Sequence, residues 1–257
     1  NEVKAERIEL PMHKQELHYT FDLAGIESAY KSGVKVHLLC HPQNPTGTVH
    51  AKADLQKIAD LAVAYGVTVI SDEIHAPLTY VKEDFYPFLA ISDNARRVGI
   101  TITSASKSFN IAGLKCAIIV SQDERLNELL TTMPMAVHFR ASLFGGVASA
   151  AAFAHGSSWL TAALGQLDKN RKLLDSLIRS RIPAINYRIP DCSYLAWLDL
   201  SALNLGDNPA ATLLERGRVA LNSGHTYGAP YSQFARLNFA TSPELITDGI
   251  ERILKAI

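Results

Sequence analysis

The chain has 257 residues, of which 47% are hydrophobic and 19% are charged, with 15 glycines and 11 prolines. This composition is that of an ordinary globular protein and excludes the collagen-like, low-complexity and intrinsically disordered classes. The 25 Lys and Arg residues balance the 25 Asp and Glu residues, so the formal net charge is zero. Nucleic-acid-binding proteins usually carry a basic excess, so we expect no nucleic-acid partner.

Hydropathy and cysteine usage predict a cytoplasmic protein. The longest apolar stretches, such as residues 115–120, are far shorter than the ~20 residues needed to cross a bilayer, so no membrane association is expected. The N-terminal residues are charged and carry no apolar segment, so no signal peptide is expected. Cys40, Cys116 and Cys192 are odd in number, far apart and set in apolar runs. They predict buried thiols of a reducing compartment, with neither a disulfide framework nor a metal site.

In the first half of the chain, short apolar runs alternate with a helical pattern. Strands are predicted at residues 34–40, 67–70, 98–103 and 116–120. An amphipathic helix is predicted at residues 51–65, ending at Gly66. Continuous apolar strands alternating with helices predict an α/β fold, a mostly parallel mixed sheet covered by helices on both faces. Ligands of such sheets bind where strands give way to loops at their carboxyl ends.

The second half has a different pattern. An Ala- and Gly-rich stretch at residues 143–153 leads into a long helix at 159–182. Further elements are predicted: a partly alternating strand at 194–200, a helix at 209–216, a strand at 234–239 and a terminal helix at 243–256. We place the domain boundary near the helix pair at about residues 150–165. The expected division is a domain at 1–155 and a smaller α+β domain at 156–257.

A polar cluster follows each of the first two predicted strands, at residues 41–47 and 71–75. Residues 41–47 contain two prolines, an Asn and a Gly after a strand, and a rigid turn would explain them equally well. The functional alternative is that Asn44, constrained by Pro45, points its amide into the ligand crevice. Asp72 and His75 come directly after a buried strand. A carboxylate there could satisfy a helix N-terminus or could hold a cationic ring nitrogen.

Two further clusters carry cationic groups. Lys107 lies in a tight loop between small hydroxyl residues, Ser104 and Ser106 among them, after another strand. Most lysines are simply solvated, but a desolvated amine could form a Schiff base, and the serines could hold a phosphate. Arg236 lies within an apolar strand and needs an anionic partner, because an unpaired buried guanidinium is too costly. That partner is either a structural Asp or Glu or a substrate carboxylate bound bidentately.

The conjunction of these groups is more informative than any one of them. A pyridoxal phosphate enzyme that acts on an amino acid needs a Lys for the cofactor aldehyde, an Asp for the pyridine nitrogen and an Arg for the substrate carboxylate. Lys107, Asp72 and Arg236 supply these three groups.

The sequence resembles the class I/II aminotransferase superfamily of fold type I, and within it the cystathionine β-lyase-like C–S lyases. The resemblance extends over nearly the whole chain, although family members are longer, and the chain is expected to lack their N-terminal third. The motifs that carry the resemblance are Pro-Gln-Asn-Pro-Thr-Gly at 42–47, Ser-Asp-Glu-Ile-His at 71–75, Ser-Ala-Ser-Lys-Ser-Phe-Asn-Ile-Ala-Gly-Leu at 104–114, Tyr-Leu-Ala-Trp-Leu-Asp-Leu at 194–200, Gly-His-Thr-Tyr-Gly at 224–228 and Phe-Ala-Arg-Leu-Asn at 234–238.

The resemblance implies a role for each matching residue. Lys107 and Asp72 would be catalytic: the Lys would carry pyridoxal 5′-phosphate as a Schiff base, and the Asp would pair with its pyridine nitrogen. Arg236 would bind the substrate α-carboxylate. The remaining cofactor-binding residues would be Asn44 at the phenolic oxygen, His75 where many members have a Tyr at that oxygen, Ser104 and Ser106 near the phosphate, and Lys115 where many members have a phosphate-binding Arg.

The resemblance also implies an activity. We expect a pyridoxal phosphate-dependent C–S β-lyase of the cystathionine β-lyase or cysteine desulfhydrase type, which releases a thiol, pyruvate and ammonia from a β-thio amino acid. An aminotransferase of class I/II is the first alternative, and a non-catalytic or regulatory module that keeps the fold is the second. Active sites of fold type I are generally built at a dimer interface, so a homodimer is expected.

Overall fold

The computed structural model describes residues 5–81 and 84–257, so the first four residues of the charged N-terminal segment lie outside the described residues. The chain forms two compact units. The first comprises Asn1–Pro42, His50–Ala76 and Glu83–Phe153, and the second comprises Gln43–Val49, Pro77–Lys82 and Ala154–Ile257. No helix among the described residues is both long and apolar enough to cross a membrane.

The first unit contains a small hairpin and a mixed sheet. In the sheet the strands follow the order β3-β4-β5-β6, with β3, β4 and β5 parallel and β6 antiparallel to β5. This arrangement confirms the mostly parallel mixed sheet predicted from the sequence. The strands are β1 (His13–Gln15), β2 (His18–Thr20), β3 (Val36–Cys40), β4 (Thr68–Asp72), β5 (Gly99–Thr103) and β6 (Ile118–Ser121).

Helices lie before, between and after these strands, and those at residues 23–31, 52–65 and 93–98 contribute buried side chains to the core of this unit. In the predicted helix at 51–65, Leu55 and Ile58 are fully buried, and Gly66 ends it in the left-handed conformation at φ 66°. The short helices between residues 93 and 139 were not predicted, because they carry too few turns for a periodic pattern. The helices are α1 (Leu23–Lys31), α2 (Lys52–Tyr65), α3 (Asp93–Val98), α4 (Ala105–Ser108), α5 (Glu124–Thr131), α6 (Met135–Phe139) and α7 (Leu143–His155).

Strand β6 corrects one sequence-based expectation. The apolar run at 116–120 predicts a strand covered on both faces, but Ile118, Ile119 and Val120 are 39%, 39% and 38% exposed. Among the described residues β6 pairs with β5 alone and lies at the edge of the sheet. A run of apolar residues predicts a strand from local preference, whereas its burial depends on neighbours that are distant in sequence.

The three cysteines are free, but they are not all buried. Cys192 is fully buried, as predicted, whereas Cys40 and Cys116 are half-buried. Cys116 precedes β6 and does not lie within the strand. The expectation of three buried thiols is therefore wrong at two positions.

A pair of buried histidines lies beside β3. His41 and His50 are 0% and 3% exposed, and their ring centroids are 5.6 Å apart. His50 packs against Phe21 at 4.0 Å between centroids, and His41 stacks on Phe85 at 4.8 Å. Burial lowers the pKa of His50 to about 3 and that of His41 to about 4, and the neighbouring His41 lowers the pKa of His50 further. Both rings are therefore neutral near pH 7.

We predict that acid destabilises the protein through His50. Its folded pKa of about 3 lies below the ordinary value of 6.5, so between these values the unfolded state binds more protons. Stability is therefore complete above pH 6.5 and is lost as pH falls toward the folded pKa. From pH 7 to pH 4.5 the contribution of His50 falls by about 2–3 kcal/mol. Urea unfolding at the two pH values should show this loss.

In His50→Gln this part of the pH dependence should disappear. The matched control is His138→Gln, because His138 is exposed on α6. The same pH dependence in His50→Gln and in wild type would contradict the prediction.

The second unit is built on an antiparallel sheet. Its strands follow the order β7-β8-β10-β9, and every neighbouring pair is antiparallel. Apolar side chains of the sheet, of the long helix α8 and of the terminal helix α10 form the core, including Leu174, Leu198 and Ile250. The elements are α8 (Ser157–Arg181), β7 (Asn186–Tyr187), β8 (Leu195–Asp199), α9 (Pro209–Gly217), β9 (Asn222–Ser223), β10 (Phe234–Asn238) and α10 (Pro243–Ala256).

Strand β8 differs from the predicted partial alternation. All of its residues, Leu195–Asp199, are buried, so both faces of the strand are covered. Leu198 packs into the core on one face, and the ring of Trp197 packs against Tyr227 and Phe234 with centroids 5.1 Å apart in each pair, so both faces are covered.

Two short segments from the first half of the chain belong to the second unit. The carbonyl of Gly47 accepts hydrogen bonds from the backbone N–H groups of Asp191 and Cys192, at 2.9 and 3.1 Å. Likewise, the carbonyl of Leu78 accepts a bond from the N–H of Ser193 at 3.1 Å. These backbone bonds hold residues 43–49 and 77–81 in the second unit, and Asn44 therefore belongs to the second unit as well.

Candidate functional site

Asp72 is the last residue of β4, at the carboxyl end of the parallel strands. Its Cα pairs with Cys40 of β3 on one side and Ile102 of β5 on the other. The side chain is half-buried, and its Oδ1 accepts a hydrogen bond from the N–H of Ile74 at 3.1 Å. No hydrogen bond to Oδ2 occurs within residues 5–81 and 84–257. One carboxylate oxygen is therefore held by the turn, and the other is available to a ligand.

The neighbouring carboxylate, Glu73, has a different environment. It is 4% exposed, and its Oε1 accepts hydrogen bonds from the N–H of Phe88 at 2.8 Å and from the hydroxyl of Ser71 at 3.0 Å. Burial raises the pKa of Glu73, and these hydrogen bonds oppose the rise. Glu73 thus ties the end of β4 to the segment before residue 90, whereas Asp72 remains the chemically available member of the pair. His75, two residues further on, is 4% exposed.

Lys107 lies one turn after β5. Ser104 ends the extended segment and caps α4, with its Oγ accepting a hydrogen bond from the N–H of Ser106 at 3.0 Å. Lys107 lies on this short helix and is half-buried. Across the described chain its ammonium makes no hydrogen bond and no ion pair. The amine is therefore held close to the sheet but is not neutralised by a carboxylate.

The hydroxyl groups of the serines around Lys107 differ in the hydrogen bonds that they make. Ser104 Oγ lies 2.5 Å from the carbonyl oxygen of Cys116 and 2.7 Å from Ser106 Oγ. Ser108 Oγ is buried and has no hydrogen-bond partner among the described residues. The hydroxyl of Ser104 therefore already stabilises the loop, and Ser106 is the better placed of the two predicted phosphate ligands to accept another partner.

Lys115 is an exposed residue at the end of the turn Ala112–Leu114. Its backbone is left-handed, with φ 49°, and its carbonyl accepts a hydrogen bond from the N–H of Ser142 at 3.3 Å. The ammonium has no ion-pair partner among the residues that the structure describes. Its predicted role at the phosphate stays a prediction.

Arg236 occupies the middle of β10 in the second unit. Its Nη1 donates a hydrogen bond to Oδ1 of Asn44, and its Nη2 donates one to Oδ1 of Asn222, each at 3.0 Å. Tyr227 lies at 5.6 Å from the guanidinium carbon to the ring centroid, within cation–π range. Two neutral amide oxygens and one aromatic ring therefore surround the guanidinium.

No carboxylate of the described residues balances the charge of Arg236. Within the described residues it forms no ion pair, and its Nε is buried without a hydrogen-bond partner. The sequence left two possibilities for its anion, a structural Asp or Glu or a substrate carboxylate. The described structure does not contain the first, so a carboxylate ligand remains the partner that the guanidinium would accept.

The predicted residues divide between the two units, and one contact residue was missed. Asn44 and Arg236 are in direct contact within the second unit. The others belong to the first unit, at the carboxyl ends of β4 and β5 and in the turns that follow: Asp72, His75, Ser104, Ser106, Lys107 and Lys115. Asn222 was not predicted. It lies two residues before the Gly224–Tyr227 turn, on a strand of two residues that carries no periodic signal.

Comparison with known proteins agrees with these observations. The sequence profile of the family described as aminotransferase class I and II matches residues 3–253. A Mycobacterium leprae protein with the provisional name cystathionine β-lyase is 38% identical over 259 residues, which cover 92% of this chain and 63% of that protein. The cystathionine β-lyase PatB of Bacillus subtilis is 33% identical, over 96% of this chain and 65% of its own length.

A solved structure shows the same likeness. The pyridoxal phosphate-bound C–S lyase of Staphylococcus hominis, complexed with the inhibitor L-cycloserine, is 28% identical with a TM-score of 0.88. The alignment covers 96% of this chain and 61% of that one. The chain thus spans 60–65% of the length of the curated relatives described here and of others of similar identity.

Proposed function

Because the chain belongs to the aminotransferase class I and II family, we propose that the protein it represents is a pyridoxal phosphate-dependent C–S β-lyase. The substrate would be an α-amino acid with sulfur on Cβ, and the products a thiol, pyruvate and ammonia. The names of the relatives at 33–38% identity support the lyase branch of the family. The chain covers about three fifths of those relatives, so the proposal concerns the whole protein.

One observation of this chain carries the proposal. Lys107 is half-buried in the turn that follows β5, and no carboxylate among the described residues neutralises its amine. An amine that no carboxylate neutralises can act as a nucleophile toward an aldehyde and as a base. The position of Lys107 directly after a strand of the parallel sheet, where ligands of such sheets bind, supports this role.

The donor set fits pyridoxal 5′-phosphate. Lys107 supplies an amine for the aldehyde, and the open Oδ2 of Asp72 supplies an anion for a protonated pyridine nitrogen. Asn44, His75, Ser104, Ser106 and Lys115 are proposed as the residues that hold the phenolic oxygen and the phosphate. When bound, the cofactor supplies an electron sink for the electrons released at the substrate Cα.

Three residues of this chain would each have a separate role in the reaction. Arg236 would bind the α-carboxylate through its N–H groups. Lys107 Nζ would take the proton from Cα, and the Cβ–S bond would then break with its electron pair leaving on the thiolate. Asp72 would keep its negative charge beside the ring nitrogen and so hold that proton in place.

The assembly of the whole protein is also a proposal. We propose residues 1–155 as part of the large cofactor-binding domain and 156–257 as the small domain. The family resemblance supports a homodimer, and the three free cysteines are consistent with a reducing compartment such as the cytoplasm.

The test is pyruvate release by the full-length protein loaded with pyridoxal phosphate. With L-cystathionine as substrate we expect pyruvate to form continuously without any added 2-oxo acid. Turnover that requires a 2-oxo acid acceptor would replace the lyase by an aminotransferase. Retention of the cofactor with no turnover of either kind would indicate a non-catalytic module instead.

A further inference from the structure

The guanidinium of Arg236 is held by an asparagine from the neighbouring strand. Arg236 on β10 pairs in register with Asn222 on β9, and Oδ1 of Asn222 accepts a hydrogen bond from Nη2 at 3.0 Å. Asn44 makes the equivalent contact to Nη1 at the same distance. One neutral amide oxygen therefore contacts each terminal nitrogen of the guanidinium, and both contacts lie within the second unit.

The position of Asn222 is itself constrained. The next residue, Ser223, donates a hydrogen bond from its hydroxyl to Oδ1 of Asn208 at 3.1 Å. Gly224 follows, and its Cα lies so close to the carbonyl oxygens of Tyr231 and Phe234 that a Cβ would clash with them. These contacts fix the backbone just after Asn222, and with it the direction of the Cα–Cβ bond that points the side chain at Arg236.

The neutrality of these two partners has a chemical consequence. A guanidinium has five N–H donors, and the two amides take one each. The remaining donors include the buried Nε, which has no partner among the described residues. An Asp at position 222 would have nearly the same shape but would neutralise the charge of Arg236. An Asn holds the guanidinium and leaves its full positive charge for a ligand.

We propose that Asn222 is a positioning residue that makes the second unit selective for α-amino acids with a free carboxylate. Its neutral amide orients the guanidinium of Arg236 without neutralising it, so the full positive charge attracts the substrate carboxylate. The inference rests on the proposed function, since it takes the α-carboxylate as the ligand of Arg236. The proposal concerns binding, so the variants should alter KM and leave kcat unchanged.

The experiment compares Asn222→Ala and Asn222→Asp in the full-length protein loaded with pyridoxal phosphate. For L-cystathionine we expect KM to rise about tenfold in Asn222→Ala, because one hydrogen bond to a charged group is lost. In Asn222→Asp we expect KM to rise about a hundredfold, because the new carboxylate occupies the guanidinium. The preference for L-cystathionine over its α-carboxamide should also decrease from wild type to Asn222→Ala and from Asn222→Ala to Asn222→Asp. The matched control is Asn127→Asp, an exposed asparagine on α5 of the first unit.

A second readout does not depend on turnover. Calorimetry would measure the binding of 3-(methylsulfanyl)propionate, a carboxylate without an amino group, and we expect the same order of affinities. If this order holds while no pyruvate forms, the inference stands and the proposed lyase activity is wrong. If Asn222 only stabilises the sheet, Asn222→Ala should bind the carboxylate as well as wild type, because Arg236 would keep its orientation without this amide. That result, or a fall in kcat at constant KM, would overturn the inference.

Discussion

Replacing Lys107 by Ala is expected to lower kcat by about a thousandfold or more, because a positioned general base typically contributes up to about 10⁴. Lys107 is the half-buried amine in the turn after β5, and no other lysine in residues 5–81 and 84–257 follows a strand end in a cap of hydroxyl residues. The measurement is pyruvate release from L-cystathionine. In wild type, borohydride should also fix the cofactor covalently to the protein, and in Lys107→Ala it should not.

The conservative substitution Lys107→Arg separates charge from basicity. An Arg keeps a cation of similar length at this position, but its guanidinium stays protonated and cannot accept a proton near neutral pH. We therefore expect Lys107→Arg to be as inactive as Lys107→Ala, while Lys169→Ala on the exposed face of α8 retains full activity. Substantial turnover by Lys107→Arg would mean that the residue acts through its charge and that the base lies elsewhere.

The position of Lys107 could be predicted from the sequence because its signals are local. A buried apolar strand, a Ser cap and a polar turn occur within ten residues, and the carboxyl end of a strand is where α/β proteins bind ligands. The same holds for α10, where Ser242 caps the helix, Pro243 opens it, and Ile246 and Ile250 recur on its buried face. In these segments, local preference and tertiary packing favour the same structure.

Other features depend on partners that are distant in sequence. The exposure of Ile118, Ile119 and Val120 on β6 depends on what packs against the faces of the strand, and its own apolar residues do not encode those partners. Residues 43–49 join the second unit through backbone bonds to residues near 191, about 140 positions away. Asn222 contacts Arg236 only because β9 and β10 pair, and a strand of two residues has no periodicity to predict. Residue types thus predict which groups could carry chemistry, whereas a contact residue such as Asn222 has no local signal.

Arg236→Met is expected to separate substrate binding from stability. The substitution removes the guanidinium that would bind the α-carboxylate, so KM for L-cystathionine should rise about a hundredfold or more. The free energy of unfolding should be unchanged or higher by about 1 kcal/mol, because an unbalanced charge and the buried Nε are replaced by an apolar chain of similar length. Asn222 is exposed and Asn44 half-buried, so water can satisfy the amides that lose their partner. Steady-state kinetics and urea unfolding measure the two effects.

A second variant of Arg236 and a matched control determine whether its charge or its donor geometry binds the carboxylate. Arg236→Lys keeps the charge but loses the planar array of donors, so we expect a KM between those of wild type and Arg236→Met. Arg252→Met is the matched control, because Arg252 is exposed on α10 and already paired with Asp248, with Nε and Oδ2 2.6 Å apart; its KM should equal that of wild type. A marked loss of stability in Arg236→Met would contradict the argument, since it would show that Arg236 holds the sheet together. A higher free energy of unfolding together with weaker binding would instead mean that the unneutralised guanidinium lowers the stability of the second unit and raises its affinity for the ligand.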